Sequence, residues 1–178
     1  MVYIRRATLS DRDAVIRVIQ AVYEEYQLTW DPEVYHADLY DLEGHYFSKG
    51  FPFWVAEVDG MVVGTCALEV FPTIHGEPGR VVLQQGKLRV AGTDCSLERM
   101  YVDPQTRRMG IGSSLMQTTL EEARHLNRSA MELWSDKKFE PAHRLYEKYG
   151  ARVVGDRICD DPDESPEWGL YLPLAGTA

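Results

Sequence analysis

The stretch from Leu97 to Gly112 limits the fold more than any other part of the chain. Residues 97–102 have the composition of a β-strand, a short loop with a proline follows, and Gly110 and Gly112 open an amphipathic helix. Glycine removes the Cβ atom that would keep a bulky anion away from the backbone. The first amides of a helix lack intrahelical acceptors, and the helix dipole favours negative charge there. This order of elements predicts a cradle suited to a pyrophosphate at residues 107–112.

The glycine spacing excludes two common kinds of nucleotide site. Leu115 occupies the position of the third glycine of a dinucleotide-binding fingerprint, and the Lys-Ser/Thr pair of a nucleotide P-loop is missing. A Gly-x-Gly helix start is also a common tight turn. The pattern alone therefore leaves open whether the cradle holds a ligand, and which one.

Hydrophobic periodicity outlines the other elements. The predicted strands are residues 2–6, 53–58, 61–71, 95–102, 130–134, 151–157 and 168–173, with an additional hairpin between 81 and 90. The predicted helices are residues 10–26, a second one that begins at Asp31-Pro32, then 111–127 and 141–149. Ser10 with Asp13 is expected to cap the first helix, and Asp59-Gly60 to turn the first hairpin.

Strands and helices mix along the chain without strict alternation. This arrangement predicts a fold of the α/β class, of α+β type, with a mixed, mostly antiparallel central sheet flanked by helices. We expect a single domain over residues 1–178, because the chain has the length of one domain and contains no linker or repeat.

Composition and charge narrow the function. The 19 basic and 28 acidic side chains give a net charge of −9, which argues against a nucleic-acid partner. No apolar stretch approaches the length that spans a bilayer, so no membrane partner is expected. Cys66, Cys95 and Cys159 lie far apart and the histidines lack ligand spacing, so no metal site is expected. These features predict a cytoplasmic protein.

Two sequence blocks resemble the GNAT superfamily of N-acetyltransferases. Arg107-x-x-Gly110-x-Gly112, directly after a strand that ends Met-Tyr-Val-Asp-Pro, is similar to the acetyl-CoA motif of that family. Residues 139–150, which contain Leu-Tyr-Glu-Lys-x-Gly, resemble its late helix. The resemblance extends over most of residues 2–155, with a cofactor core at about 94–155.

Two positions depart from the family pattern. Ala151 stands where an aromatic residue usually follows the glycine that ends the late helix, which changes packing. Phe139 stands where asparagine is frequent, which puts a polar contact to the cofactor from this position in doubt. The insertion at residues 72–92 and the acidic segment near the C-terminus have no general family meaning.

The resemblance implies that acetyl-CoA is the co-substrate. The pantetheine would pair with the backbone of residues 100–102 where that strand splays from its neighbour, and the pyrophosphate with the amides of 108–113. The implied cofactor-binding residues are Met100, Tyr101, Val102, Arg107, Arg108, Met109, Gly110, Ile111, Gly112, Ser113, Phe139 and Ala142. A backbone N–H near Met100 or Tyr101 would stabilise the oxyanion. Arg107 and Arg108 are alternatively ordinary surface arginines.

The resemblance also implies direct transfer, in which an amine attacks the thioester without a covalent enzyme intermediate. Glu98 is the candidate base, because strand alternation places it on the face of Met100 and Val102. Its alternatives are a solvated carboxylate or an anchor for the ammonium group of the substrate. Tyr146 is the candidate acid for the leaving thiolate, with core packing as the alternative.

Three functions remain open at this stage. The first is acetylation of a primary amine on a small molecule, the second acetylation of a protein or peptide, and the third a non-catalytic acyl-CoA-binding sensor. Closure by the 31–47 helices would favour the first. Cys95 is expected to be a buried structural residue, and the acidic side chains between 156 and 167 a solvated loop. The last strand, residues 168–172, is compatible with pairing across a homodimer.

Overall fold

Nine strands and five helices account for most of residues 1–174. The structure, a computed structural model, describes residues 1–174. The strands are β1 (Val2–Arg6), β2 (Phe53–Val58), β3 (Met61–Val70), β4 (Val81–Gln84), β5 (Lys87–Val90), β6 (Cys95–Val102), β7 (Ala130–Asp136), β8 (Arg152–Ile158) and β9 (Pro166–Pro173). The helices are α1 (Arg12–Glu25), α2 (Ala37–Tyr40), α3 (Leu42–His45), α4 (Ile111–His125) and α5 (Glu140–Lys148). Single 3₁₀ turns occupy Leu9–Asp11, Phe47–Lys49 and Pro104–Thr106.

The central sheet has seven strands in the order β1-β2-β3-β6-β7-β9-β8, and β4 with β5 forms a separate hairpin. The pairs β1–β2, β2–β3, β7–β9 and β8–β9 are antiparallel, whereas β6 and β7 run parallel. The predicted mixed, mostly antiparallel sheet is therefore confirmed. Both predicted hairpins also form, and the first turns at Asp59-Gly60 with positive φ at both residues.

One compact unit contains residues 1–68, 98–119 and 161–163. In it, α1 buries Val15, Val18 and Ile19 against β2 and its neighbours, at the spacing of one helical face. Leu39 and Leu42, in the short helices α2 and α3, complete this core. The 31–47 segment therefore packs on the apolar face of α1.

The other compact unit contains residues 69–97, 120–160 and the described residues from 164 onward. Its antiparallel ladder pairs Leu133 of β7 with Leu170 of β9, and both side chains are buried. Glu132 is buried as well, and it is satisfied by the Arg89 side chain and by the backbone N–H of Val90, at 2.8 Å. This carboxylate therefore ties the β4–β5 hairpin to β7.

Three sequence expectations are wrong in detail. The capping box lies at Thr8 and Asp11 instead of Ser10 and Asp13, and the Thr8 N–H donates to the Asp11 carboxylate at 2.7 Å. Asp31-Pro32 opens a turn, and the helices that follow are only four residues each. β9 pairs with β7 on one side and β8 on the other, so this strand has no edge for pairing across a dimer.

No helix within residues 1–174 is both long and apolar enough to span a membrane.

Candidate active site

The second half of β6 is less buried than its place inside the sheet suggests. Cys95, Ser96 and Leu97 are buried, but every residue from Glu98 to Val102 is partly exposed. The register with β7 joins Cys95 to Met131 and Ser96 to Glu132, at the start of the strand. A central strand that is buried at its start and partly exposed along its second half is a suitable place for an extended ligand.

Arg99 interrupts β6 with a left-handed backbone, at a φ of 51°. A residue with a side chain rarely adopts this conformation inside a strand, so the pleat is broken here. The Arg99 carbonyl accepts a hydrogen bond from the Thr65 hydroxyl of β3, at 2.7 Å. Strand alternation does not continue through Arg99, so it does not place Glu98 on the face of Met100 and Val102.

Glu98 nevertheless lies close to identifiable neighbours within the first unit. Burial raises the pKa of Tyr46 and of Cys66, the latter to about 12, and the negative charge of Glu98 adds to both shifts. The Glu98 carboxylate is therefore near enough to Tyr46, which follows α3, and to Cys66 of β3 for its charge to affect both groups. Its proposed role as base or anchor stays a prediction.

The loop after β6 is fixed by Asp103. Its N–H donates to the Val63 carbonyl at 2.8 Å, and its carboxylate accepts from the Gln105 N–H at 2.9 Å. Arg17 of α1 donates to the Val62 carbonyl at 2.7 Å and lies 3.7 Å from the Asp103 carboxylate. These contacts determine where the chain enters the glycine turn.

The glycine turn ends at a well-defined helix start. Arg108 and Gly110 both have positive φ, 68° and 76°, and the Ser114 N–H donates to the Gly110 carbonyl at 3.0 Å as the first bond of α4. A Cβ atom on Gly110 would meet no atom within 4 Å. The space beside this residue is open, as a cradle for an anion requires. The predicted pyrophosphate contacts of Met109, Ile111, Gly112 and Ser113 stay predictions.

Arg107 points to a partner other than the cradle. Its guanidinium pairs with Glu25 at the end of α1, at 2.5 Å, and the two side chains are about one third exposed. An exposed pair of this kind contributes little to stability. To make the predicted phosphate contact, Arg107 would have to release Glu25 or to bind Glu25 and the phosphate at the same time.

Gly64 of β3 lets the first turn of α4 approach the sheet. A Cβ atom there would lie 2.9 Å from Ile111 Cγ2 and 3.0 Å from Leu115 Cδ1, and both side chains are buried. We expect Gly64→Ala to lower the free energy of unfolding by about 1–3 kcal/mol through overpacking. Urea denaturation measures this loss, and an unchanged free energy would show that the helix start adapts without strain.

An aromatic cluster lines the side of this unit next to the 31–47 segment. His36 is fully buried, its ring stacks on Trp30 at 3.9 Å between centroids, and Tyr23 and Tyr35 contact it edge-on. Its Nδ1 atom lies 3.1 Å from the Asp31 N–H, whereas the buried Nε2 atom has no hydrogen-bond partner. Burial, with the nearby Arg99 charge, lowers the pKa of His36 to about 4. The imidazole is therefore neutral at physiological pH.

The lowered pKa of His36 predicts an acid-sensitive fold. His36 binds a proton near pH 6.5 in the unfolded chain but only near pH 4 in the folded protein. The contribution of His36 to the free energy of unfolding is therefore constant above pH 6.5 and falls as the pH is lowered from 6.5 to 4. The loss should be about 3 kcal/mol and should level off below pH 4. Urea denaturation across this range should show a smaller pH slope for His36→Gln, whereas the exposed control His125→Gln should keep the wild-type slope. Equal slopes in all three proteins would contradict the prediction.

In the second unit, α5 presents the residues predicted from the late-helix motif. Tyr146 is buried, while Phe139 and Ala142 are partly exposed at the beginning of the helix. His143 is nearly buried, and its Nε2 atom lies 3.0 Å from the Ser135 hydroxyl of β7. The roles predicted for Tyr146 as acid and for Phe139 and Ala142 as cofactor contacts stay predictions.

Other sequence expectations have mixed outcomes. Cys95 is buried, as predicted, and burial raises the pKa of its thiol. The acidic segment is less solvated than predicted, because Glu167 is buried against Arg157 and Asp156 pairs with Lys137. Among residues 1–174, no three His, Cys, Asp or Glu side chains are grouped so that they could hold a metal ion.

Sequence reasoning missed one feature of the site, the contact network of Arg99. The guanidinium makes two hydrogen bonds with the Asp38 carboxylate, at 3.0 and 2.7 Å, and a third with the Tyr35 carbonyl at 2.7 Å. Tyr46 donates its hydroxyl to the same carboxylate. The available signal was an arginine in the middle of a strand, where a charged residue that is buried needs a partner.

The fold and the helix start after β6 define an acyltransferase of the acetyl-CoA-dependent type. The model of the acetyltransferase (GNAT) family matches residues 19–151, and the chain belongs to this family. It is an enzyme of the N-acetyltransferase class, and acetyl-CoA is the acetyl donor of this class.

Several relatives and solved structures resemble the chain. It is 31% identical over 148 residues to the uncharacterized N-acetyltransferase YjgM of Escherichia coli, covering 82% of this chain and 79% of that protein. It is 36% identical over 121 residues to the N-acetylaspartate synthetase of Homo sapiens, covering 67% of this chain but 34% of that protein. The chain thus spans about a third of the length of the N-acetylaspartate synthetases.

Solved structures agree with the fold. An acetyltransferase of the GNAT family from Staphylococcus aureus has a TM-score of 0.75 at 21% identity, with 98% of this chain and 99% of that chain covered. The structure of yncA from Salmonella typhimurium, described with its cofactor acetyl-CoA, has a TM-score of 0.71 at 18% identity and covers 100% of this chain and 96% of that chain.

Proposed function

We propose that this protein transfers the acetyl group of acetyl-CoA directly to the primary amine of a small molecule. Residues 1–178 would act as one acyl-CoA N-acyltransferase domain. The observation that carries the choice of a small acceptor is the attachment of the 35–46 segment to β6, beside Glu98, through the Asp38–Arg99 pair.

This attachment favours a confined acceptor site over an open groove. The Arg99 and Asp38 side chains are only 11% and 15% exposed, and the pair is held further by Tyr35 and Tyr46. A peptide chain needs a continuous open surface beside the reacting amine, whereas a small amine fits in a pocket that is closed on one side. In this proposal, α2 and α3 would supply that closure.

The residues present fit the donor. The open space at Gly110 and the start of α4 suit the pyrophosphate, and residues 100–102, which are partly exposed, would offer their backbone to the pantetheine amides. Bound acetyl-CoA would supply the activated acetyl group. The protein would orient it through Met100, Tyr101 and Val102 and hold its phosphates with residues 107–113.

Two side chains would handle protons. Glu98 would accept the proton that the ammonium form of the substrate must lose, directly or through a water molecule, because an ammonium has no lone pair. Tyr146 would donate a proton to the departing thiolate, since a phenol with an ordinary pKa of about 10 can protonate it.

The role of Tyr146 predicts a selective loss of rate. Tyr146→Phe should lower kcat by about 10², with the acetyl-CoA dissociation constant nearly unchanged, because only the proton donor is removed. Tyr149→Phe, at the end of the same helix, is the matched control and should keep the wild-type rate. Steady-state kinetics by thiol release measures both, and equal rates in the two variants would assign Tyr146 to core packing.

The proposal is tested by binding and then by an amine panel. Calorimetric titration should show that acetyl-CoA binds with a micromolar dissociation constant. ATP and NAD should not bind, because the cradle lacks both the P-loop pattern and the dinucleotide-binding pattern. Thiol release is then measured with amino acids, aspartate included because of the N-acetylaspartate synthetase relatives, with diamines, and with unstructured peptides that carry a free N-terminus.

Each outcome of this panel is informative. Preference for a free amino acid or amine over all peptides supports the small-molecule proposal. Preference for peptides replaces it with peptide acetylation. Acetyl-CoA binding without transfer to any acceptor would contradict the proposed transfer and favour a sensor.

A further inference from the structure

The buried ion pair between Arg99 and Asp38 joins two parts of the first unit that are far apart in sequence. Arg99 is in β6, between Glu98 and Met100, whereas Asp38 is in α2, 61 residues earlier. Both charges are removed from solvent, which is costly unless their hydrogen bonds are satisfied. Burial alone would raise the pKa of Asp38, but Arg99 and the Tyr46 hydroxyl lower it below its usual value. The carboxylate is therefore ionised and the pair is charged at neutral pH.

We propose that Arg99 is a positioning residue, which uses its pair with Asp38 to fix the α2–α3 segment against the kink in β6 and so aligns the acceptor with the donor. This inference rests on the proposed function, and it adds a specific residue pair to that site. It gives the two charges a role beyond stability, since buried ion pairs are on average a weak source of stability.

The backbone of Arg99 is held from two sides. Its carbonyl accepts the Thr65 hydroxyl at 2.7 Å, and its side chain is fixed by Asp38 and the Tyr35 carbonyl. Thr65 is fully buried, so this hydrogen bond is protected from water. A left-handed residue in a strand costs about 1–3 kcal/mol, and it persists only where its surroundings determine it. The hydrogen bond to the Arg99 carbonyl and the contacts of its side chain hold Arg99 in the left-handed conformation.

The other end of the pair is held just as firmly. Tyr46 is buried, donates to Asp38 and contacts Phe53 of β2 edge-on, at 5.0 Å between ring centroids. The Arg99 guanidinium also lies over the Tyr35 ring, 5.1 Å from its centroid. Tyr46 therefore holds the Asp38 carboxylate in place, and the hydrogen bonds of Asp38 with the Arg99 guanidinium hold Arg99 of β6 in turn.

The kink lies between the two residues that matter most for transfer. Glu98 is the proposed base and the Met100 N–H a proposed oxyanion donor, and both adjoin Arg99 in the chain. A shift of the kink would move both groups together. Misplacement of a reacting group by about 1 Å costs roughly a hundredfold in rate. The phosphate cradle at residues 107–113 is further along the chain and would be disturbed less.

Three variants of graded severity test the inference. Tyr46→Phe removes one hydrogen bond from Asp38, Arg99→Lys keeps the charge but loses the paired geometry, and Asp38→Asn removes the ionised partner. The matched control is Asp11→Asn, because Arg5 also makes two hydrogen bonds with the Asp11 carboxylate, both at 2.8 Å, and this pair joins β1 to the 3₁₀ turn before α1. The control loses an ion pair of similar geometry in the same unit.

The readouts separate alignment from general stability. With the best acceptor of the amine panel, kcat/KM should fall roughly a hundredfold in Asp38→Asn and less in Tyr46→Phe, whereas the acetyl-CoA dissociation constant should change less than about threefold. A fourth variant, Arg99→Met, removes the charge of the side chain, and Arg99→Lys should keep more of the rate than this variant does. Asp11→Asn should lower the melting temperature and leave kcat/KM near wild type. Equal losses in the control, or unchanged kcat/KM in Asp38→Asn, would overturn the inference.

Hydrogen exchange measured on the acetyl-CoA-bound protein requires no acceptor. In Tyr46→Phe and Arg99→Lys, the amides of residues 35–46 and of 98–102 should exchange faster together, and in Asp11→Asn neither group should change. Faster exchange in only one of the two groups would overturn the coupling. If the panel yields no acceptor, the proposed transfer fails, while joint exchange would still support the coupling by itself.

Discussion

Glu98→Gln should lower kcat for the acceptor amine by about 10² to 10⁴, the range that a positioned general base contributes. The amide keeps the size of the side chain but cannot accept the proton of the ammonium group. Acetyl-CoA binding should be unaffected, because the predicted cofactor contacts of β6 are made by backbone atoms of residues 100–102. Calorimetry and initial rates by thiol release measure the two quantities on the same protein.

The dependence of the rate on pH distinguishes a base from an anchor. If Glu98 is a base, Glu98→Gln lowers kcat and changes the acceptor KM little. The increase of the rate with pH that depends on the Glu98 carboxylate is then lost in the variant. With an anchor, KM rises and kcat is largely kept. Glu24→Gln, an exposed glutamate of α1, is the control and should change neither constant. Wild-type kinetics in Glu98→Gln would remove this residue from the mechanism.

Gly110→Val should weaken acetyl-CoA binding at least a hundredfold by filling the space in which the pyrophosphate is expected. The backbone of Gly110 has a φ of 76°, which a β-branched residue adopts only with strain, and its Cβ position is open. Strain alone would lower stability by about 1–3 kcal/mol. Calorimetric titration measures the affinity, and urea denaturation measures the strain.

The chain offers a close control for this variant. Gly60, in the β2–β3 turn, has a φ of 79° and also has no atom within 4 Å of its Cβ position. Gly60→Val should therefore cost similar stability without a loss of affinity. If both variants bind acetyl-CoA equally well, the turn at 107–112 is a feature of the scaffold. Gly112→Val, inside the first turn of α4, should reproduce the loss of affinity without the cost of positive φ.

Sequence predicted the elements well where the local signal agreed with the fold. β6 has the predicted bounds, Cys95–Val102, and α4 begins at the predicted Ile111, because strand composition and a glycine turn directly precede that helix. The β2–β3 turn formed at Asp59-Gly60 for the same reason, since these residues accept positive φ easily. Local chemistry determined each of these boundaries.

Sequence failed where the answer depended on partners far along the chain. The kink at Arg99 has no local signal, because neither glycine nor proline is present, and it depends on Thr65 and Asp38. The capping box is formed by Thr8 and Asp11 and not by Ser10 and Asp13. Both pairs have the required spacing, but Asp11 also pairs with Arg5, and that contact selects it. Tertiary hydrogen bonds decided both cases.

A contact of the acidic segment between β8 and β9 affects the order in which the chain folds. The Asp163 carboxylate accepts hydrogen bonds from both the N–H and the hydroxyl of Thr29, each at 2.7 Å, across 134 positions of sequence. Closing a loop of that length is entropically slow compared with forming α1 or the β2–β3 hairpin. During synthesis, the segment after α1 that contains Thr29 can therefore form this contact only after Asp163 has emerged.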